Sequence, residues 1–172
     1  MFSKADIEKY FTAEKQESLL FVCIGVAAIL LALVFYFFVK TPPYKGAAIP
    51  LLLIGLLLGT VGYTVYKRSD ADRIRNVYAL DMNPAELKTK ELPRMETVMK
   101  NFVLYRYVEI VLALLGIALF FYFAKTADHQ FWKGMGAGLA VMALIALGAD
   151  YFAEKRGHIY INGIKGFLLA NP

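Results

Sequence analysis

KRSDADRIRNVYALDMNPAELKTKELPRMETVMKNFVLYR, residues 67–106, is the only long polar stretch of the chain and separates two pairs of apolar runs. It carries nine of the nineteen Lys and Arg residues. The apolar runs lie at 19–39, 47–66, 107–124 and 134–153, and each is 18 to 21 residues long. A helix needs about 20 residues to cross about 30 Å of hydrocarbon. The sequence therefore predicts four transmembrane helices, two on each side of the polar stretch.

The composition agrees with this interpretation. Hydrophobic residues make up 59% of the 172 residues, and the mean hydropathy is +0.52, whereas soluble domains are about half apolar. We predict an all-α membrane protein, a four-transmembrane-helix bundle built from two tandem helical hairpins. The expected segments are an amphipathic lead-in (1–18), a first transmembrane hairpin (19–66), a cytoplasmic basic helical linker (67–106), a second transmembrane hairpin (107–156) and a cytoplasmic tail (157–172).

The distribution of positive charge predicts the orientation. Fifteen Lys and Arg residues fall before the first run, in the central stretch or after the fourth run, and four fall in the two short links. Because cytoplasmic loops carry the excess of basic residues, we expect a four-pass plasma (inner) membrane protein with both termini in the cytoplasm. The net charge of +5 is then explained by contact with anionic lipid at the cytoplasmic face, and we expect no nucleic-acid partner.

The two halves of the chain resemble each other. An offset of 85 residues aligns Lys40 with Lys125, and an offset of 88 aligns Lys45-Gly46 with Lys133-Gly134. Each Lys-Gly pair precedes a Lys-Arg pair by the same distance in both halves. Membrane hairpins in general share aromatic ends and basic flanks, but the constant spacing favours a duplication. Both hairpins run in the same direction, which predicts a parallel repeat about an axis along the membrane normal.

The lead-in has the pattern of an amphipathic helix. Ser3 is a predicted N-cap, and Asp6 stands three residues on, in the arrangement of a capping box. Ile7, Tyr10 and Phe11 share one face of the helix. We expect this face either to lie on the inner headgroup region of the membrane or to pack on the central stretch.

The central stretch and the tail contain turn signals. Asn83-Pro84 combines an N-cap residue with proline at the first helical position, so a helix is predicted to start there. The tail is ambiguous. Asn162-Gly163 favours a small hairpin, and an interfacial coil is the alternative.

Two acids lie inside the apolar runs, and ionisable residues in membranes are functional candidates. Glu109 and Asp150 each stand about four residues from the cytoplasmic edge of their run, or roughly 6 Å. Arg106 precedes Glu109 by three residues, and Arg156 follows Asp150 by six. We therefore predict interfacial ion pairs that fix helix depth, with a functional acid site as the alternative.

Signatures of chemistry are missing from the sequence. It contains no metalloprotease, nucleophile-elbow or phosphate-loop motif, and its two histidines are expected on opposite sides of the membrane. We expect no catalytic, cofactor or metal site. The middle of all four apolar runs also lacks polar side chains, which an ion path through one subunit would require.

These observations favour a non-catalytic membrane scaffold, accessory or regulatory subunit that acts through its cytoplasmic face. A protein partner is expected on the central stretch, on a contact surface formed by Arg73, Arg75, Glu91, Arg94, Glu96 and Lys100. The alternative is a small channel or transporter, in which a homo-oligomer places polar groups at a shared axis. A toxin-immunity protein or a membrane enzyme is less favoured, because only a general topology supports either.

Overall fold

The computed structural model describes residues 2–170, and four long helical paths contain nearly all of them. The first path is α1 (Lys4–Val34) with a π-helical turn (Phe35–Val39), and the second is α2 (Pro42–Met82). The third comprises α3 (Pro84–Glu86), a π-helical turn (Leu87–Glu91) and α4 (Leu92–Tyr122); a 3-10 turn (Ala127–His129) then precedes α5 (Gln130–Ala170). Residues 2–170 contain no strand, and each path is long and apolar enough to cross a membrane. The all-α class and the four long apolar helices are confirmed.

The beginning of α1 follows the predicted capping box. The Asp6 carboxylate accepts hydrogen bonds from the Ser3 backbone N–H at 2.9 Å and from the Ser3 hydroxyl at 2.8 Å. These bonds satisfy polar groups at a helix start, where no earlier turn supplies partners. The helix then continues without a break through residues 18 and 19, so the lead-in and the first apolar run form one helix.

The central stretch turns at Asn83, where the sequence predicts a helix start. Asn83 has φ −151° and ψ 68°, and the next helix begins at Pro84. The helix continues from there into α4 through the π-helical turn Leu87–Glu91. Pro93 follows this turn directly and has no N–H to donate to the preceding turn, which explains the local widening of the helix.

The tail is helical, so both the hairpin and the coil expected there are wrong. α5 continues to Ala170, and the last two residues of the predicted tail lie outside the described residues. Asn162-Gly163 forms no turn because Gly163 packs against the Phe2 ring, where a Cβ atom would approach Phe2 Cδ2 to 2.4 Å. Tertiary packing has overridden the local turn preference.

The first two helical paths pack along each other in antiparallel order. Lys4 pairs with Asp81 near one end, and the rings of Phe35 and Tyr44 contact each other near the other end, with centroids 4.8 Å apart. Between these contacts, Gly25 lies directly against the backbone of α2. The small residue allows the two helices to approach closely.

α5 packs against both α4 and α2. Towards α4, Arg106 pairs with Glu154. Towards α2, Gly134 and Gly138 lie against Pro43 and Ala47, so that a Cβ on Gly134 would come within 1.7 Å of the Pro43 carbonyl oxygen. α5 therefore joins the two halves of the molecule through positions where a side chain would clash.

The core lies at one end of the bundle. We define the charged end as residues 2–18, 67–106 and 154–170, and the loop end as the links around Lys40–Thr41 and 123–129. The largest fully buried side chains all belong to the charged end: Phe11, Ile7, Leu87, Met95, Ile164, Glu91, Asn76 and Ser69. In the most apolar windows of the four helices, by contrast, only 11% to 33% of residues are buried.

Candidate functional site

The charged end contains a cluster of buried polar side chains contributed by α1, α2 and the π-helical turn before α4. Its most buried members, each no more than 8% exposed, are Glu14, Ser18, Ser69, Asp72, Asn76 and Glu91. Buried charges are costly unless they are paired or hydrogen-bonded. The partners of these groups therefore determine whether the cluster is a structural element or a reactive site.

Glu91 has two arginine partners. Its carboxylate accepts hydrogen bonds from Arg94 Nε at 2.9 Å and from Arg94 Nη2 at 2.6 Å, and Arg75 Nη2 of α2 lies 3.5 Å away. Although burial alone would lower the pKa of Arg94, the hydrogen bonds and charge of Glu91 raise it. Arg94 also lies over the Phe11 ring, 5.8 Å from its centroid. This pair thus connects the start of α4 to α1 and α2.

Glu14 joins α1 to α2. The Ser69 hydroxyl donates to Glu14 Oε2 at 2.9 Å, and the Tyr10 hydroxyl donates to Oε1 at 3.4 Å. Burial raises the pKa of Glu14, and the charges of Arg94 and Arg68 oppose that rise. Arg68 lies 3.9 Å from the Glu14 carboxylate.

The remaining charges of the cluster are also compensated. Asp72 pairs with Arg75 at 3.0 Å and lies 3.9 Å from Arg68, while Arg156 of α5 pairs with Glu17. We call this set the polar network; its acids are Glu14, Glu17, Asp72 and Glu91, and its bases are Arg68, Arg75, Arg94 and Arg156. Four positive charges balance four negative ones. The arrangement therefore favours a structural role at the junction of the helices.

Two stacked tyrosines close the network beside α5. The rings of Tyr10 and Tyr160 lie parallel with centroids 4.0 Å apart, and the Arg156 guanidinium lies 5.6 Å from the Tyr10 ring centroid. Burial raises the pKa of both hydroxyl groups, so both remain neutral at physiological pH. No group of three or more His, Cys, Asp or Glu side chains suited to a metal ion occurs in residues 2–170.

The acids of the apolar runs have different partners from those expected. Glu109 and Asp150 face each other across the contact between α4 and α5. Arg106 pairs with Glu154 and not with Glu109, and Arg156 pairs with Glu17 of α1. The sequence spacing suggested partners on the same helix, whereas antiparallel packing brings charges from neighbouring helices to the same level.

The expected contact surface needs a correction. Glu91 is 1% exposed and Arg94 only 20% exposed at the side chain, so both belong to the core of the charged end. Arg75 is shared between the surface and the polar network. Three of the six residues remain at the surface: Arg73, which lies 3.7 Å from Asp70; Glu96, which pairs with Lys165 at 3.1 Å; and Lys100.

A groove of about 700 Å³ lies between α1 and α5 at the charged end and was not predicted. Phe2, Tyr10 and Ala13 line it from α1, and Ile159 and Gly166 are among the residues that line it from α5. The sequence gives a signal for it, because Ala153, Gly157, Tyr160, Ile161 and Ile164 recur at helical spacing. The Asn-Gly turn signal obscured that periodicity.

Comparison of the chain with protein-family models, with curated proteins and with solved structures gives no significant match. The function must therefore be inferred from the charges, contacts and cavities described above.

Proposed function

We propose that the chain is a four-pass protein of the plasma (inner) membrane with its charged end in the cytoplasm. Four sufficiently long and apolar helices support insertion. The orientation is supported by the position of the basic residues: fifteen belong to the charged end, and Lys40, Lys45, Lys125 and Lys133 to the loop end. Anionic lipids of the inner leaflet would contact the exposed basic residues around the helix exits.

Thiol labelling tests this orientation. In a Cys23→Ser background, single cysteines at Tyr44 and His129 should react with an impermeant reagent added to intact cells, while cysteines at Asn83 and Lys88 should react only after lysis. All four positions except Tyr44 are highly exposed, and Tyr44 is 44% exposed. Ser69 is unsuitable because it is fully buried. Labelling of Asn83 or Lys88 in intact cells would overturn the orientation.

The proposed parallel repeat of two hairpins is supported by the register of the helix contacts. A Cβ on Gly25 would lie 2.7 Å from the Gly59 nitrogen, and one on Gly116 would lie 2.5 Å from the Ala140 nitrogen. The offsets of 85 and 88 carry Gly25 and Gly59 to positions 110 and 147. Gly116 is six residues after the first position and Ala140 seven before the second. The two helix pairs thus meet in nearly the same register at different depths.

We propose further that the protein is a non-catalytic scaffold, accessory or regulatory subunit that acts through its charged end. The observation that carries this proposal is the contrast between the two parts of the molecule. The charged end has a packed core, a balanced polar network and the larger of its grooves. The apolar runs have no polar side chain at their middle, and a conducting path within one subunit would need such groups or water.

A small channel or transporter is the second candidate, because Glu109 and Asp150 face each other near the inner edge of the apolar runs. Facing carboxyl groups can exchange a proton or bind a cation. α4 also leaves most of its apolar window exposed, which either lipid or a second copy of the chain would cover. An oligomer with these acids at a shared axis would favour this alternative.

A flux assay with purified protein in liposomes separates the two functions. The scaffold proposal expects no proton or cation flux above that of empty liposomes, in the wild type and in the Glu109→Gln, Asp150→Asn double variant. Flux that is abolished in the double variant, while the melting temperature stays unchanged, would reject the scaffold proposal and establish transport. Flux that persists in the double variant would also reject it and place the path elsewhere.

A further inference from the structure

We propose that the groove between α1 and α5 at the charged end binds an amphipathic helix of a partner protein, with acidic residues along the edges of its apolar face. The proposal rests on the scaffold function proposed above and identifies the kind of partner. It follows from the shape of the groove, its apolar floor, its unpaired lysines and its direction relative to the membrane.

The groove has an apolar floor in a region that the bilayer does not cover. Its walls include the aromatic rings of Phe2, Tyr10 and Tyr160. Ile159 also lines it and is 69% exposed. Exposed apolar surface outside a membrane commonly marks an interaction site. A cavity of about 700 Å³ is also large enough to take up several side chains.

The shape suits a helix. The lining residues of α5 extend from Phe152 to Ala170, which corresponds to about 27 Å at 1.5 Å per residue. Gly166 lies in this wall, and a Cβ atom built on it would meet nothing within 4 Å. A third helix can therefore lie along the groove, as apolar helix faces do in grooves between two helices. Residues 2–170 offer no strand edge for an extended peptide.

The charge of the groove selects an acidic partner. Lys9, Lys155 and Arg156 line it, with Asp6 as the one acid. Arg156 is engaged by Glu17, and Asp6 caps the start of α1. Lys9 and Lys155 are exposed and form no salt bridge with the described residues. Two positive charges thus remain for acidic side chains of a partner, where complementary charge gives specificity.

A lipid of the inner leaflet fits the groove less well. The groove begins at Phe152, beside the inner end of the fourth apolar run, and extends from there away from the membrane. A leaflet lipid with its headgroup at Lys155 would direct its acyl chains into the bilayer, in the opposite direction. It would leave the floor around Phe2 and Tyr160 uncovered.

The test measures binding of a designed peptide to the full-length protein in nanodiscs of phosphatidylcholine. The probe is a fluorescent helix of 18 residues, with leucine on one face and glutamate along both edges; a second peptide carries lysine in place of glutamate. We expect saturable binding of the glutamate peptide, at least tenfold tighter than that of the lysine peptide. Absence of saturable binding, or equal affinity for both peptides, would overturn the proposal.

Two pairs of variants locate the binding. Gly166→Leu fills the groove without a clash and should weaken binding at least tenfold, whereas Gly148→Leu, also in open space on α5 but outside the groove, should leave it unchanged. Lys9→Glu with Lys155→Glu should reverse the peptide preference, and the control Lys88→Glu with Lys100→Glu should not. Unaltered binding by Gly166→Leu would overturn the proposal, as would a control variant that behaves like its groove counterpart.

The lipid alternative has its own outcome. If phosphatidylglycerol added to the nanodiscs displaces the glutamate peptide from the wild type but not from the Lys88→Glu, Lys100→Glu protein, the competition arises from charge outside the groove and the proposal stands. If it displaces the peptide from both, lipid occupies the groove and the proposal fails. Neither result affects the scaffold function, which the flux assay tests separately.

Discussion

The Glu91 carboxylate is 1% exposed and accepts two hydrogen bonds from the guanidinium of Arg94, at 2.9 and 2.6 Å. Both residues lie near the start of the same helical path, so the pair alone does not join helices. Arg75 of α2, 3.5 Å from Glu91, provides that connection. A buried pair with a third charge at its edge is sensitive to the loss of any one partner.

Glu91→Gln should therefore destabilise the protein by about 3 to 5 kcal/mol, since it leaves the Arg94 charge buried without its partner. Unfolding in detergent, followed by circular dichroism, measures the loss. The matched control is Glu96→Gln, whose exposed pair with Lys165 should contribute less than about 1 kcal/mol. Replacing both Glu91 and Arg94 by Met should cost less than Glu91→Gln alone, because no unpaired charge remains. Equal losses for Glu91→Gln and Glu96→Gln would contradict the buried pairing.

Glu14 should give the wild type a pH dependence that Glu14→Gln lacks. Burial raises the folded-state pKa of Glu14 above the ordinary value of 4.5. The folded state therefore binds the proton more tightly than the unfolded state. This contribution to stability is fully present below pH 4.5 and is lost as the pH rises through the folded pKa.

The melting temperature of the wild type relative to Glu14→Gln should thus fall between acidic and neutral pH. Asp6→Asn provides a comparison of opposite sign, because hydrogen bonds from Ser3 lower the pKa of Asp6. The contribution of Asp6 is present above pH 3.8 and is lost as the pH falls. A difference between the wild type and Glu14→Gln that does not change with pH would contradict the burial of Glu14.

The sequence predicts the helices and their starts better than it predicts the charged end. The capping box of Ser3 and Asp6 and the start at Asn83-Pro84 are local signals, and both are present in the structure. The partner of Arg156, by contrast, is Glu17, almost the whole chain away. Such contacts depend on how the helices pack, which neither hydropathy nor spacing specifies.

The position of Glu91 illustrates the same limit. Its three-residue spacing from Arg94 is visible in the sequence and is typical of an exposed pair on a helix surface. Nothing in that spacing shows that α1, α2 and α5 cover the start of α4. Once the tail is understood as a helix, its apolar residues supply the missing cover, as Ile161 and Ile164 pack with Met95.

Gly62 and Gly59 make a matched test of close helix packing. A Cβ on Gly62 would lie 2.7 Å from the Ser18 carbonyl oxygen, whereas one on Gly59 would meet nothing within 4 Å. Gly62→Ala should cost about 1 to 3 kcal/mol, since the helices must separate. Gly59→Ala should be neutral or stabilise by up to about 1 kcal/mol through helix propensity. Denaturant titration in detergent compares them, and equal effects would contradict the contact between α1 and α2.

Lys40 is the one residue other than glycine with a positive φ in residues 2–170, at 60°. This left-handed conformation is unfavourable for residues with a Cβ, so Lys40→Gly should stabilise the protein by about 1 kcal/mol. Lys125→Gly, at the equivalent position of the second half, should give no such gain. Thermal unfolding of both variants measures the difference. A gain at Lys125 that matches the one at Lys40 would contradict this conformation of the first link.

Hydrogen–deuterium exchange of the protein in nanodiscs tests most directly the claim that the charged end is a preformed, packed surface. The account expects slow exchange in residues 4–18, 70–80, 92–104 and 156–168, and a joint loss of this protection in Glu91→Gln, while the apolar runs stay protected. Exchange of residues 4–18 and 156–168 at the rate of an unfolded chain in the wild type would contradict it. The lead-in and the tail would then be separate, mobile extensions with no fixed surface for a partner.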